Sequence, residues 1–442
     1  MDRLIEADEI SASRPLAVVG AGAGGASAAI QAAKRGVTCY LIERDAATFP
    51  TQSLAATRTL DPTQYDWALD HCHHAVLPWG GHPGLPLAFR TGTADQLSLI
   101  WQRQLRRAAR ILRSPTSSPF LRVLTSQTVT SVARASAATG GPKWVVIGLG
   151  GGQVLTVGCL LDAKGFGNEN CRIEHPARTL IYEGQPFWGP DSFMTLTSAD
   201  RVLISGSGDG AMQDYLRIVT KLNRAIEIEK GLGLPSDILH AVQSAEDRAC
   251  RGWSWASSDD KVRFEHEHPY WKELDAFHDA LIPKALGVSS VRNALDALVP
   301  DDPVPVTVVH REGYLTCYYG LNRFLAKLVA RFVEDERGGH VAFHRQWEID
   351  NITARSRHAC IQLVGGTWHA SGAYVGHTLI QHDCFGEWHD VDFKAAVPPH
   401  GPPAGPKPAH AGYNVIIVRH GLERAPRPPL QRTRHILPLH RP

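Results

Sequence analysis

The chain has 442 residues, 43% of them hydrophobic and 20% charged, enough for two or three domains with ample buried core. Its 46 Lys and Arg stand against 44 Asp and Glu, so no overall charge recruits nucleic acid or a membrane surface. The eight cysteines are scattered without a CxxC or CxxxxC pair, which argues against a redox-active dithiol; with no signal peptide, the pattern predicts reduced thiols in the cytoplasm.

Residues 15–45, PLAVVGAGAGGASAAIQAAKRGVTCYLIERD, predict a strand, a glycine turn, a helix and a second strand that ends in an acid. Leu16, Val18 and Val19 suit a central parallel strand buried on both faces, and Gly20 lets the chain turn out of it. Without a side chain at Gly22, the backbone can approach a pyrophosphate held by the amides and dipole of the helix that starts there. Gly25 allows that helix to pack close to the strand, and Gly36 ends it. Glu43 falls roughly 20 positions beyond Gly20, where a carboxylate accepts hydrogen bonds from an adenosine ribose and repels a phosphate on it. The candidate set is therefore Gly20, Ala21, Gly22, Ala23, Gly24, Gly25, Glu43 and Arg44, favouring FAD or NAD over NADP. Residues 15–33 are uncharged, but their glycines and alanines, the Lys34-Arg35 stop and the following β pattern disfavour a membrane span.

Residues 50–93, rich in Pro, His, Trp and Gly, predict a long functional loop or small cap. Residues 95–113 then show a helical apolar face at 97, 100, 101, 105, 108 and 112, with arginines opposite. Three β-rich runs, near 121–134, 143–150 and 153–162, predict an antiparallel meander ending in Asp162-Ala163-Lys164-Gly165.

The same order recurs. Residues 201–211, RVLISGSGDGA, form a second strand and glycine turn, with Gly206, Ser207, Gly208, Asp209, Gly210 and Ala211 as candidate contacts and a helix following. VTVVHR at 306–311 reads as a strand with a basic end, His310-Arg311. A helical face at 321, 324, 325, 328, 329 and 332 follows, then short strands over 340–380 separated by a GG turn. These repeats predict a duplicated α/β architecture: two Rossmann-like dinucleotide-binding domains with β-meanders and a helical insert. The expected divisions are an FAD-binding domain over 1–200, an NAD(P)-binding-like domain over 201–390 with the insert near 222–300, and a proline-rich linker and basic tail over 391–442. The insert carries Trp253, Trp255, Tyr270, Trp271, His266, His268 and His278, which suit a substrate pocket or ordinary core packing.

His71, Cys72, His73 and His74 invite a zinc reading, but adjacent histidines rarely converge on one ion and no second ligand pair has a familiar spacing. His377, His382, Cys384 and His389 are scattered, so no metal is expected. GxSxG and GxxxxGK[ST] are absent, leaving hydrolase and NTPase readings unsupported.

With GAGAGG and Glu43, DAKG at 162–165, GSGDGA with Asp209 placed to cap its helix, and VTVVHR at 306–311, the chain resembles flavoproteins with two dinucleotide-binding domains, of the broad glutathione reductase and thioredoxin reductase type, over about 15–380. RTLDPTQYDW and SGSGDGAMQDYLRI are similar to uncharacterised bacterial flavin-dependent oxidoreductases. The resemblance implies FAD in the first half, NAD(P)H in the second and hydride transfer to the flavin, with His310 and Arg311 near a 2′-phosphate. Two features depart from it: the usual late strand ending in Gly-Asp is replaced at best by GYNVIIVRHG at 412–421, and Glu312 follows the short basic end.

The expectation is an FAD-dependent oxidoreductase reduced by NAD(P)H and acting on a small organic substrate. Without a dithiol to pass electrons on, a monooxygenase or oxidase is favoured over a disulfide reductase. Tyr65, Asp66 and His71, with Trp67 beside them, are the candidate groups for orienting substrate or moving its protons. A non-catalytic FAD/NAD(P) sensor and an NAD-only dehydrogenase are the alternatives.

Overall fold

The computed structural model describes residues 2–61, 67, 86–87, 90–115, 118–135, 143–165, 169–175, 178–255, 269–317, 319–338, 341–355, 358–368, 374–381 and 415–420. The first half runs β1 (Leu16–Val19), α1 (Ala23–Lys34), β2 (Cys39–Ile42), α2 (Ala94–Ile111), β3 (Leu121–Leu124), a meander of β4 (Val129–Ala135), β5 (Trp144–Leu149) and β6 (Val154–Val157), and then β7 (Cys159–Asp162). Its sheet has the order β3-β2-β1-β7, with every pair parallel. Both faces are covered, which is why the strands read as continuous apolar runs. Leu16 and Val18 pack against α1 and α2, whereas Ala17 and Ile42 face Ile147, Leu149 and Val157 of the meander.

Helix α1 ends as the sequence predicts. Gly36 (φ +77) donates its amide to Ala33 O at 3.0 Å and Val37 donates to Ala32 O at 3.1 Å, so the last carbonyls are satisfied by a Schellman turn that favours glycine. Helix α2 buries Leu97, Trp101, Leu105 and Ala108, and Trp101 lies against Phe49 at 5.6 Å between ring centres.

A hairpin of β8 (Arg172–His175) and β9 (Arg178–Glu183) precedes the second half. There β10 (Val202–Ser205) and α3 (Asp209–Thr220) lead into the insert α4 (Ala225–Leu232), α5 (Ser236–Trp255), α6 (Pro269–Leu286) and α7 (Ser289–Leu298). The chain returns through β11 (Val306–His310), α8 (Gly320–Glu336), β12 (Val341–Arg345), a meander of β13 (Trp347–Arg355), β14 (His358–Trp368) and β15 (Tyr374–Gln381), and β16 (Val415–Val418). The sheet order β12-β11-β10-β16 is again all parallel. The architecture is α/β and duplicated, strand for strand, with Rossmann-like units.

Three local readings change. The runs at 121–134 and 153–162 each divide, because β3 and β7 belong to the parallel sheet while β4 to β6 form the meander. Ser126 (φ +53) and Gly158 mark the switches, and a Cβ on Gly158 would lie 2.3 Å from Glu9 O. The Gly365-Gly366 pair is a register shift within β14, a bulge rather than a turn. Finally, Val415–Val418, which the sequence reading sets in the tail, is the fourth strand of the second sheet. It pairs with β10 as β7 pairs with β1, and buries Ile417 and Val418.

Candidate functional site

At the first turn the backbone, rather than side chains, makes the cradle. Gly20 has φ +103 and a Cβ there would lie 2.3 Å from Ala163 O, so only glycine lets β7 close against β1. A Cβ on Gly25 would stand 1.9 Å from Gly20 O, which explains the intimacy of helix and strand. Gly22 is the N-cap of α1, with φ −74 and ψ −177, and added Cβ atoms on Gly22 and Gly24 would meet nothing within 4 Å. The first intrahelical bond runs from Ala26 N to Gly22 O at 2.9 Å, so the amides of Ala23, Gly24 and Gly25 have no acceptor within the helix.

Glu43 is buried at the end of β2. Its Oε2 accepts the Ala21 amide at 2.7 Å and its Oε1 the Asp45 amide at 3.1 Å, which aims the carboxylate at the glycine turn. Each oxygen retains a second acceptor site. Arg44 points outward, its side chain 73% exposed and its Nε 3.9 Å from Asp45. Open glycines, helix amides and a buried acid facing the same turn are groups that fit a dinucleotide.

The second turn repeats the backbone and changes the side chains. Gly206 (φ +139) has Arg419 O at 2.2 Å from a would-be Cβ, and Gly208 is the N-cap of α3. The carboxylate of Asp209 accepts from the Tyr319 amide at 3.2 Å and Asn322 Nδ2 at 2.8 Å, tying α3 to the start of α8. Ser207 is bonded through its hydroxyl to Glu312 at 3.0 Å and Thr316 at 2.9 Å. Gly210 lies against Phe187 and Arg419, and Ala211 is fully buried. His310 ends β11 in the place of Glu43. Burial, with the Arg345 charge, pushes its pKa down to about 3, so its ring is neutral. Arg311 is 2.6 Å from Glu348.

Between the turns runs a buried ion cluster. Arg58, from the first half, contacts Asp214 through Nη1 and lies 3.2 Å from Asp191. Arg217 reaches Asp191 at 2.9 Å, and Arg419 Nε donates to Asp214 at 2.9 Å. Phe187 packs under the Arg58 guanidinium at 4.0 Å. Burial pushes the Asp191 carboxyl up, but the hydrogen bonds from Arg217 and the Arg58 charge outweigh it and hold the group below its ordinary range. Three guanidinium groups thus share two carboxylates, welding Arg58 of the first half to the second fingerprint helix. Sequence reasoning misses this cluster; its one trace is Asp214 and Arg217, opposite charges three apart within the stretch of α3 that is buried from Asp214 to Thr220.

A second buried group lies between the insert and α8. His278 Nε2 sits 3.6 Å from Glu246 Oε1, and burial raises Glu246 to about 7. Burial also holds His278 well below its usual range. Lys327 Nζ donates to Asp275 at 2.9 Å and Asp279 at 2.6 Å, and Arg323 is stacked over Trp271 at 5.5 Å. Trp271 and His278 are therefore core residues joining α6 to α8.

Tyr65, Asp66 and His71 lie outside the described residues, as do Cys72, His73, His74, His266, His268, His382, Cys384 and His389. Trp67 is described and is a packing residue: it is buried in the core of the second half, 5.8 Å from Phe324 between ring centres. Cys39, Cys159, Cys171 and Cys317 are free thiols, each with its pKa raised by burial, Cys39 to about 12. Among the described residues no cluster of three or more His, Cys, Asp or Glu is arranged to hold a metal, and no helix is long and apolar enough to cross a membrane.

The chain is similar to solved thioredoxin reductases. That of Lactococcus lactis matches with a TM-score of 0.38 and 12% identity over 92% of this chain and 78% of its own. The bacillithiol disulfide reductase of Staphylococcus aureus matches at 0.37 and 11% over 82% and 73%. A flavin-containing monooxygenase from Stenotrophomonas maltophilia matches at 0.31 and 15% over 45% and 53%. At these identities and scores the likeness assigns neither reaction nor substrate. No protein-family model and no curated protein matches the chain.

Proposed function

We propose that the chain is an FAD-dependent oxidoreductase reduced by NAD(P)H and acting on a small organic substrate. The observation that carries this is the first glycine turn: a side-chain-free N-cap at Gly22, first-turn amides at Ala23, Gly24 and Gly25 without intrahelical acceptors, and Glu43 aimed at the same corner. Those amides would hold the FAD pyrophosphate, and Glu43 the adenosine ribose hydroxyls. The second turn, Gly206 to Ala211, would hold the pyridine nucleotide. Bound flavin supplies hydride and electron transfer; the protein positions the two nucleotides and the substrate.

A monooxygenase or oxidase is favoured over a disulfide reductase. The sequence has no closely spaced cysteine pair, and the described thiols are held protonated by burial. Tyr65, Asp66 and His71 are proposed to orient the substrate or exchange protons with it. The test is the spectrum of the purified protein, followed by reconstitution with FAD. Retained blue absorbance near one flavin per chain supports the reading, and protein that neither carries nor takes up flavin refutes it.

A further inference from the structure

The halves correspond residue for residue at their turns. Gly20 N donates to Ile42 O at 2.8 Å, and Gly206 N donates to Val309 O at 2.9 Å. Counting on from these pairs, Glu43 corresponds to His310, Arg44 to Arg311 and Asp45 to Glu312. In the first half the acid at the strand end faces Ala21. In the second, the strand-end residue is a buried imidazole, but an acid arrives from two positions further on. Glu312 Oε2 lies 4.0 Å from His310 Nδ1 and accepts from the hydroxyl of Ser207, the counterpart of Ala21, at 3.0 Å.

The loop after β11 holds this acid in place. Thr316 N donates to Ser207 O at 2.9 Å, as Phe49 N donates to Ala21 O at 2.9 Å in the first half, and the Thr316 hydroxyl joins that of Ser207. The Glu312 side chain remains 24% exposed, with acceptor capacity left over. Arg311 is engaged with Glu348. The strand end therefore presents one guanidinium and two carboxylates.

We propose that Glu312 recognises the adenosine ribose of the second nucleotide, and that this site takes NAD(H) in preference to NADP(H) because the carboxylate accepts the ribose hydroxyls and repels a 2′-phosphate. The proposal rests on the reading of the second half as a pyridine-nucleotide site. It replaces Arg311 with Glu312 as the residue that sets the preference.

The test is calorimetric titration of the flavin-loaded protein with NAD+ and NADP+, neither of which reduces the flavin. NAD+ should bind at least about tenfold tighter. Losing a charged acceptor in Glu312→Ala should weaken NAD+ about 10- to 100-fold. Glu312→Gln, which keeps an oxygen for Ser207 and removes the charge, should narrow the preference, whereas Arg311→Ala should leave it unchanged. Tighter binding of NADP+, a ratio unmoved by Glu312→Gln, or loss of NADP+ binding alone in Arg311→Ala overturns the proposal. Should Glu312→Ala lose its fold, shown by its melting curve and flavin content, Glu312→Gln carries the test. Binding of neither nucleotide overturns it together with the second-site reading, while flavin retention still reports on the first site separately.

Discussion

Gly22 and Gly25 are three residues apart in one fingerprint, yet they should fail in opposite ways. Gly22 has extended backbone angles that any residue adopts, and a Cβ there meets nothing within 4 Å. Gly22→Val should therefore leave the flavin-free protein within about 0.5 kcal/mol of its original stability, as for other unhindered surface changes. Its branched side chain would occupy the approach to the Ala23 and Gly24 amides. Losing two charge-assisted hydrogen bonds of about 1.5–3 kcal/mol each should weaken FAD roughly 10²- to 10⁴-fold. A Cβ at position 25 would lie 1.9 Å from Gly20 O, against an ordinary contact of about 3.5 Å, so α1 would have to recede by roughly 1.5 Å. Gly25→Ala should destabilise the flavin-free protein by about 1–3 kcal/mol or more, as overpacking does. Urea unfolding of both apoproteins, with flavin absorbance after gel filtration of the reconstituted forms, separates the effects. The reasoning is refuted if Gly22→Val keeps stoichiometric flavin or unfolds, or if Gly25→Ala proves as stable as the parent.

Asp214→Asn should cost about 3–5 kcal/mol in urea unfolding, because it leaves Arg58 and Arg217 with Asp191 alone and takes the carboxylate partner from Arg419; Arg331→Ala, which removes only exposed ion pairs, should cost less than about 1 kcal/mol. Glu246 binds its proton more tightly in the fold, at about 7, than at its ordinary 4.5, so its contribution to stability is full below about 4.5 and is lost as pH rises through 7. Glu246→Gln should abolish that decline in a pH series of thermal melts, and a parallel decline in the variant would count against the assignment. Asp66→Ala should slow flavin reduction or its reoxidation by oxygen in the presence of the true substrate in stopped-flow measurements; rates of both equal to the parent's would remove the 53–93 loop from the chemistry.

The first fingerprint was legible because local rules agree there: an apolar strand, glycines where the backbone is crowded or strained, a Schellman glycine at 36 and an acid at the next strand end. The duplication was legible in element order, and the helical insert in its spacing. What escaped depends on long-range pairing. Val415–Val418 reads as a late strand within the tail, but its place beside β10 is not legible, since a parallel strand needs no hairpin signal to mark its neighbour. Arg58, Asp191, Asp214, Arg217 and Arg419 come from distant segments, and no local pattern joins them. His310-Arg311 read as a basic end because the sequence does not reveal that His310 is buried, Arg311 paired, and Glu312 folded back onto Ser207.

The central claim is that one chain brings a pyridine nucleotide to a flavin. The most direct measurement is anaerobic titration of the FAD-loaded protein with NADH while the blue flavin absorbance is followed. Stoichiometric bleaching in the parent is the predicted result. Absorbance that persists with both NADH and NADPH in excess would contradict the account.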